Sequence, residues 1–403
     1  MKRLLINTII FILLLSISLP SPFAMKIQTS SASDPQIWTV DNEGDGDFRS
    51  IQRAINNAKP GDIVNVYSGV YKEHVRIKKQ VILRGIPFEL GEGSDTGKPV
   101  IDGYDIGDVL IVQAPGCEVS GFKITKSSMK FFMGNGIKVV SNNCNICENI
   151  LVDNFIGILI ANVENCSVIN NTVLYNVFGI YLVHPVNFKI LNNSLTNTGL
   201  IIITNPAEVF SNNIKNNKIN GKNFSMYIWV NDTTISDPNA GQVLLIDCHN
   251  VTIQNLSISN TSIGVVIGKS SDLHVCNNRF ENIHRGGISL YGKNCEVDNN
   301  TFYNCSYGCY LEGGENFYIH HNNFIKVFKH DQPCISWVKK HQTFMESKNI
   351  TFNKNYWDDW IGLKGDIFRS IPKIIPGFRK YWHKVLNILP VFEFDMHPAL
   401  EPY

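Results

Sequence analysis

The chain has 403 residues, of which 44% are hydrophobic and 18% are charged. These proportions are typical of a folded protein with a substantial core, and they exclude a disordered or collagen-like chain. Thirty-six lysines and arginines face 35 aspartates and glutamates, which leaves a formal net charge of +1. Because there is no basic excess to attract phosphates, we expect no nucleic-acid partner.

The N-terminus has the pattern of a secretory signal peptide. A basic start precedes an apolar run from Leu4 to Leu19, which is shorter than the roughly 20 residues that a membrane-spanning helix needs. We predict a signal peptide over residues 1–24, a linker over residues 25–46, and a mature protein that is extracytoplasmic: secreted, periplasmic or at the cell surface. An uncleaved N-terminal anchor is the alternative. The mature sequence contains no segment that is long and apolar enough to span a membrane.

A helical pattern follows the predicted linker. Apolar residues fall on one face of a helix over residues 48–58, with Asp47 as the expected N-cap and Lys59-Pro60-Gly61 as the stop. We predict that this helix caps the start of a repeat domain over residues 47–360. The acidic stretch before it, with Asp41, Asp45 and Asp47, lacks the spacing of an EF-hand and is interpreted as a solvated loop.

An internal repeat of about 22 residues dominates the rest of the chain. A strand-like phrase ending in asparagine returns at this spacing, with longer gaps after the fourth and the seventh member. Its asparagines are Asn149, Asn171, Asn193, Asn217, Asn278, Asn300, Asn322 and Asn355. A second phrase, glycine followed by an apolar strand, runs in parallel at Gly136, Gly157, Gly179, Gly264, Gly287 and Gly308.

Within each repeat, apolar and polar residues alternate with the period of a β-strand. Stacking equivalent coils would bring the asparagines into register, where their amides can hydrogen-bond along the axis. Leucine-rich repeats have a similar length, but their leucine columns are absent here. We therefore predict an all-β fold: a right-handed, single-stranded parallel β-helix, closed by the helix at one end and by an aromatic-rich C-terminal cap over residues 361–403 at the other.

The first coils also resemble a known family. The stretches that carry this resemblance are residues 47–55, 61–64, 69–73 and 83–85. They are similar to the entry coil of pectin-lyase-like proteins, and in particular of the exported NosD-type β-helix repeat proteins. The resemblance implies the fold and export. It leaves function open, because this superfamily includes lyases, hydrolases, esterases and binding proteins, while NosD-type proteins are associated with copper.

Two insertions interrupt the repeat, and loops that leave a rigid solenoid often carry its binding site. The first lies between Asn217 and Leu256, and the second between Asn322 and Asn355. Aromatic and basic residues in them suit stacking on sugar rings and pairing with acidic groups. The candidate ligand-binding residues are Tyr227, Trp229, Trp337, Lys339 and Lys340. The alternative is that the tryptophans only seal the loops against the coils.

One column of the repeat suggests a metal site. Stacking in the 22-residue register places polar and soft ligands on one outer face over successive coils. The candidates are His274, Cys276, Glu296, Asp298 and His320. Imidazole, thiol and carboxylate groups suit copper or zinc, and a calcium ion is a further possibility for a lyase-like protein. The alternative is that these outward positions are polar simply because they face solvent.

No complete catalytic set emerges from the sequence, so we name no catalytic residue. The only adjacent carboxylate pair, Asp358-Asp359, lies among tryptophans near the C-terminal cap. We predict an exported protein that binds a polysaccharide or another cell-envelope component. A metal-handling protein of NosD type and a polysaccharide lyase or hydrolase remain as alternatives. The ten cysteines permit disulfides, but those inside the repeat also suit tight packing.

Overall fold

The computed structural model describes residues 34–129, 134–327, 345–358, 373–380, 388–395, 397–399 and 401–403. The described residues from Gln36 onward belong to one compact unit. The predicted signal peptide lies outside the described residues, as do the candidates Trp337, Lys339 and Lys340.

The described residues form short strands and two short helices, α1 (Ile51–Asn57) and α2 (Pro206–Phe210). The first strands are β1 (Ile37–Val40), β2 (Ile63–Val66), β3 (Val70–Tyr71), β4 (Val75–Ile77), β5 (Ile82–Gly85), β6 (Val100–Asp102), β7 (Leu110–Val112), β8 (Glu118–Ser120) and β9 (Lys123–Thr125). The middle strands are β10 (Asn135–Val139), β11 (Asn145–Cys147), β12 (Ile150–Val152), β13 (Ile156–Ala161), β14 (Ser167–Ile169), β15 (Thr172–Leu174), β16 (Phe178–Val183), β17 (Lys189–Leu191), β18 (Ser194–Thr196), β19 (Leu200–Ile203), β20 (Asn213–Lys215) and β21 (Lys218–Ile219).

The remaining strands are longer on average. They are β22 (Lys222–Ile228), β23 (Asn231–Ile235), β24 (Ala240–Ile246), β25 (His249–Gln254), β26 (Ser257–Ser259), β27 (Ile263–Cys276), β28 (Arg279–Glu281), β29 (Gly286–Asp298), β30 (Thr301–Tyr303), β31 (Tyr307–His320), β32 (Asn323–Ile325), β33 (Met345–Asn353), β34 (Tyr356–Trp357), β35 (Lys373–Lys380) and β36 (Ile388–Asp395).

Up to β21, most coils give one strand to each of three parallel sheets. The first sheet has the order β1-β2-β5-β8-β11-β14-β17-β20, and the second has the order β4-β7-β10-β13-β16-β19. Strands β3, β6, β9, β12, β15, β18 and β21 pair in that order as the third. The predicted fold is confirmed: a right-handed parallel β-helix of about 13 turns with about 22 residues per turn.

In the later coils, β27, β29 and β31 each run continuously along two faces of the solenoid. They pair in parallel and in register, so that Leu273, Cys295 and Phe317 occupy equivalent places. The order β26-β28-β30-β32-β34 forms the remaining face. No helix in the described part of the chain has the length and apolar character to cross a bilayer.

The predicted asparagine column is a continuous hydrogen-bonded ladder in each half of the solenoid. The Asn171 amide donates to Asn193 Oδ1 at 3.1 Å and to the Ile146 carbonyl at 2.9 Å, and its own Oδ1 accepts from the Asn149 backbone at 3.1 Å. Asn300 repeats this pattern with its neighbours in the later coils. Since each amide satisfies groups on two neighbouring coils, the ladder holds the coils in one register.

Asparagine also forms the turns. Outside the ladder, many asparagines have a left-handed backbone, a conformation that this side chain tolerates better than most. Several of them stand in Asn-x-Ser/Thr triplets, among them Asn165, Asn170, Asn192, Asn250 and Asn299, whose φ angles lie between 51° and 57°. Their recurrence therefore follows from the turn geometry.

The N-terminal helix is shorter than predicted and has a different cap. Helix α1 starts after Ser50, whose side chain accepts from the Arg53 backbone, so the prediction of Asp47 as N-cap is wrong. The Asp47 carboxylate instead accepts from the backbone and hydroxyl groups of Thr39. Glu73, from the next coil, accepts from the first backbone N–H groups of the helix at 2.9 and 3.0 Å, which complements its positive end.

The segment predicted as a linker already contributes to the β-helix. Strand β1 lies within residues 25–46 and pairs in parallel with β2 over four residues. The interpretation of the acidic stretch as a solvated loop is wrong for Asp41, which is fully buried. Its carboxylate accepts from the backbone of Gly44 and Asp45 and so holds the turn that brings the chain into α1.

Most of the described cysteines fill the interior as free thiols. Cys117, Cys144 and Cys166 stack in one buried column, where the Cys144 backbone donates to Cys166 Sγ at 3.4 Å. Burial raises the pKa of the Cys305 thiol to about 12, so it stays protonated at neutral pH. In these places cysteine acts as a small apolar side chain.

Candidate functional site

The sheet of β4, β7, β10, β13, β16 and β19 carries a groove of about 570 Å³ on its outer face. Its lining residues are Gly107, Asp108, Asn135, Lys138, Ile156, Leu159, Phe178, Tyr181 and Arg285. We call this feature the sheet groove. Arg285 precedes β29, so the groove joins early coils to a much later part of the chain.

The floor of the sheet groove is built from one register of the repeat. Lys138, Leu159 and Tyr181 are aligned on β10, β13 and β16 and are partly exposed. Side chains alternate between the two faces of a strand, so these residues point outward while their neighbours fill the interior. With strands about 4.8 Å apart, the column runs along the solenoid axis with one side chain per coil.

An apolar cluster outside the main core makes this floor unusual. Its buried members are Phe155, Ile156, Val177, Phe178, Ile201 and Ile263. The Phe178 ring packs edge-on against Phe155 and against Tyr181, with 5.7 Å between ring centroids in both pairs. The outward face of this sheet therefore presents aromatic surface where solvent-facing positions are usually polar.

Two cationic side chains accompany the aromatic floor. The Arg285 guanidinium lies 4.4 Å from the Tyr310 ring centroid and 5.7 Å from that of Phe178, and it donates to the Tyr310 hydroxyl at 2.6 Å. Lys138 Nζ lies 3.7 Å from Asp108 Oδ2. Both cations are thus held in place by neighbours at the edge of the aromatic surface.

The sheet groove was not predicted from the sequence, although the repeat contains a signal for it. The residue two places after each repeat glycine must point outward, and it is Leu159 and then Tyr181 in two consecutive coils. An apolar column at an outward register indicates a covered or binding surface. The contribution of Arg285 could not be read from the repeat, because it depends on how a later turn folds over the sheet.

The insertion candidates that the structure describes differ from each other. Trp229 is 52% exposed; its ring lies 4.6 Å from that of Phe210, and its indole N–H donates to Asp247 at 2.8 Å. Tyr227 is half-buried and packs against the core of the later coils, and this burial raises the pKa of its hydroxyl. Trp229 and Phe210 thus form an exposed aromatic pair, whereas Tyr227 seals the insertion against the solenoid.

The predicted metal candidates fall into two groups. The register places His274 opposite Glu296, and Cys276 opposite Asp298, as the repeat predicted. Ligand atoms of His274, Cys276 and Asp298 all lie within 4.8 Å of one another. Burial raises the pKa of the Cys276 thiol, and the nearby carboxylates of Asp298 and Glu296 raise it further.

Glu296 and His320 form the second group. His320 Nε2 lies 2.8 Å from Glu296 Oε1, and its Nδ1 lies 2.7 Å from Nδ1 of His321. Burial and the neighbouring imidazole lower the pKa of His321, which favours the neutral form of this ring at neutral pH. The pair of Glu296 and His320 is thus separate from the group of His274, Cys276 and Asp298.

Known proteins resemble the chain in architecture. Residues 186–324 match the family model described as a right handed beta helix region, and no curated protein matches. The tailspike of bacteriophage Det7 is 10% identical, with 80% of this chain and 74% of that chain covered and a TM-score of 0.35. The lacto-N-biosidase from Eubacterium ramulus is 13% identical, with 79% and 68% covered and a TM-score of 0.31. The pectin methylesterase from Aspergillus niger is 9% identical, with 79% and 94% covered and a TM-score of 0.29.

Proposed function

We propose, from the premise that this chain is a right-handed parallel β-helix, that it is an exported protein whose sheet groove binds an acidic polysaccharide of the cell envelope. The observation that carries the proposal is the aromatic floor of the groove with cations at its edge. Export rests on the sequence of residues 1–24.

The chemistry of the sheet groove suits such a ligand. The apolar faces of sugar rings stack on aromatic side chains, and Tyr181 presents a partly exposed ring there, which packs on the buried ring of Phe178. Lys138 and Arg285 supply the positive charge that a uronic-acid carboxylate pairs with. Because the floor runs along the solenoid axis, an extended chain of sugars can contact several coils at once.

Binding is better supported than cleavage. Hydrolysis of a glycosidic bond commonly needs two carboxyl groups, an acid and a base or nucleophile. The described lining of the sheet groove contains one carboxylate, Asp108, which already accepts from the backbone and amide of Asn135 and lies beside Lys138. A polysaccharide lyase or hydrolase therefore remains the alternative, and turnover of the test ligand would establish it.

The exposed pair of Phe210 and Trp229 offers a second aromatic surface for a sugar chain. Trp229 was predicted as a ligand-binding residue, and its exposure fits that role. Tyr227 is less suited to direct contact, because it packs against the core. Trp229→Ala is therefore a useful third variant beside those in the sheet groove.

The test is calorimetric titration of the purified secreted domain with oligogalacturonate and with its methyl-esterified form. We expect Tyr181→Ala to weaken binding of the acidic ligand roughly 2- to 10-fold, as for loss of one aromatic contact. Lys138→Gln should reduce the preference for the acidic over the esterified ligand. Tyr175→Ala, which removes an exposed tyrosine outside the groove, is the matched control and should bind normally.

Equal loss in Tyr181→Ala and Tyr175→Ala would show that the sheet groove is not the binding site. Binding that is lost only in Trp229→Ala would move the site to the insertion. If the unaltered protein binds neither form, the proposal of an acidic uronic polymer is wrong.

A further inference from the structure

A thiol, an imidazole and a carboxylate meet on the outside of the later coils. His274 Nε2 lies 2.5 Å from Asp298 Oδ1, and ligand atoms of His274, Cys276 and Asp298 are mutually within 4.8 Å. Cys276 is 4% and Asp298 9% exposed, while His274 is partly exposed. The three side chains come from two adjacent strands, β27 and β29, which the repeat holds in register.

The placement of Cys276 differs from that of the other described cysteines in the later coils. Cys248, Cys295, Cys305 and Cys309 belong to the apolar core, where a thiol serves as a small hydrophobic group. Cys276 lies outside that core, between Gln254, whose Oε1 is 3.9 Å from the sulfur, and the carboxylate of Asp298 on the next coil. Apolar packing therefore does not account for a thiol at this place.

The simplest alternative is that His274 and Asp298 only tie two coils together. Three other pairs show that this solenoid uses such ties: His184 with Glu208, His249 with Asp272, and His320 with Glu296, at 2.8 to 3.0 Å. None of these pairs belongs to a three-ligand group within the described residues, whereas His274 and Asp298 do. The thiol is the feature that a simple tie does not require.

We infer that His274, Cys276 and Asp298 form a binding site for one divalent transition-metal ion of the zinc type. Nitrogen, sulfur and oxygen donors together suit such an ion, whereas calcium takes oxygen ligands. On binding, the Cys276 proton leaves to solvent and the thiolate, the neutral imidazole and the carboxylate bind the ion. Water, or the Gln254 amide oxygen beside the sulfur, can complete a four-coordinate shell.

Cobalt is the most informative probe, because a cobalt–thiolate bond gives a charge-transfer absorption in the near ultraviolet. The metal-free, reduced secreted domain is titrated with Co²⁺, and Zn²⁺ is then added to displace it. We expect one Co²⁺ per chain with a thiolate band that disappears on addition of Zn²⁺. Cys276→Ser, which keeps the shape of the side chain, should lack the band, and thermal unfolding and circular dichroism check that this variant is folded.

His274→Ala should weaken Co²⁺ binding by more than the roughly 10- to 100-fold that loss of a merely supporting partner costs. Two variants serve as matched controls and should bind as the unaltered protein does. Cys147→Ser removes the other cysteine that lies two residues before a ladder asparagine, Asn149, as Cys276 lies before Asn278. His249→Ala breaks a cross-coil tie to Asp272 that belongs to no three-ligand group among the described residues, since the thiol of the preceding Cys248 lies in the apolar core.

Absence of a thiolate band from the unaltered protein would overturn the inference, as would a band that persists in Cys276→Ser. Equal weakening by His274→Ala and His249→Ala would also contradict it, because general loosening of the coils would then explain both. These outcomes are independent of the titrations with oligogalacturonate, so the metal site and the sheet groove can fail separately.

Discussion

The early and the later coils fill the same interior corner in two different ways. Two residues after the ladder asparagine, the early coils have Leu151, Val173 and Leu195, and the later coils have Phe280, Phe302 and Phe324. Five residues after it, the early coils have Asn154, Asn176 and Thr198, and the later coils have Ile283, Cys305 and Val327. All of these side chains are buried.

The early coils thus combine aliphatic side chains with a second ladder of buried amides, in which the Asn154 backbone donates to Asn176 Oδ1 at 2.9 Å. The later coils replace both with a column of stacked rings, 5.2 and 5.0 Å apart, that ends on Trp357 at 4.1 Å. Because the coil length is 22 residues in both halves, the backbone path depends on what they share, namely the first asparagine ladder and the repeat glycines. The side chains that fill this corner can differ between the halves without changing the backbone path.

The largest expected effect comes from breaking the aromatic column. Phe302→Ala removes a fully buried ring from between two others and should lower the free energy of unfolding by about 3–5 kcal/mol. The matched change in the early coils, Val173→Ala, removes fewer atoms and should cost about 2 kcal/mol. Urea denaturation measures both, with hydrogen exchange in each half showing where the loss falls. Equal losses would contradict the contrast between the halves.

The shared ladder should be equally important in both halves. Asn171→Ala and Asn300→Ala each leave backbone groups of neighbouring coils without a partner, so each should lower the free energy of unfolding by about 2–4 kcal/mol. The control is Asn165→Gly, at an exposed left-handed turn, which should be nearly neutral. A clear difference between the two ladder variants in denaturation experiments would show that the halves do not share one framework.

Replacing a repeat glycine by alanine should destabilise the protein in both halves, but a second substitution should restore part of the stability only in the later coils. A Cβ at Gly287 would lie 2.5 Å from the Phe302 ring, so Gly287→Ala should cost about 1–3 kcal/mol. Adding Phe302→Leu should recover part of this loss, because the ring is the nearest obstacle. A Cβ at Gly179 would first meet the Gly199 carbonyl at 2.7 Å, so Gly179→Ala combined with Leu195→Ala should show no recovery. A double-mutant cycle at each site measures the coupling.

The smallest effect concerns the start of the early coils. Burial alone would raise the pKa of Asp62, but hydrogen bonds from the Lys59 backbone, the Trp38 indole and the Gln36 backbone lower it overall. Because the pKa of Asp62 is lower in the folded than in the unfolded state, the ionised carboxylate stabilises the fold at pH values above the unfolded pKa of about 4. This stabilisation is lost as the pH falls through the folded pKa. Asp62→Asn should therefore cost about 1–2 kcal/mol at pH 7 and progressively less below pH 4.

Thermal unfolding as a function of pH tests this prediction. The gap between the melting temperatures of Asp62→Asn and the unaltered protein should narrow in acid. A gap that stays constant with pH would mean that the charge of Asp62 has no part in its role.

The architecture was predictable from the sequence because every coil repeats the same pattern of strand, asparagine and glycine positions. The asparagine ladder, the glycine register and the alignment of His274 with Glu296 all follow from a spacing of 22 residues. The N-cap could not be predicted this way, because it depends on a contact with the next coil. The hydroxyl of the N-cap residue Ser50 donates to the carboxylate of Glu73 there. The spacing also does not predict which side chains of neighbouring coils are hydrogen-bonded. The bonds from His274 to Asp298 and from His320 to Glu296 run diagonally between coils, not between residues in register.

The asparagine ladder has a direction. In each step a side-chain amide donates toward the C-terminal end of the solenoid, and the final members, Asn322 and Asn355, lead to the carboxylate of Asp395. That carboxylate also accepts from the Trp357 indole, and a carboxylate, unlike the asparagine amide, carries no N–H group that could donate to a further coil. Asp395 therefore caps the ladder: it accepts the last hydrogen bond and offers no donor for another. A second molecule stacked on this end could not extend the ladder.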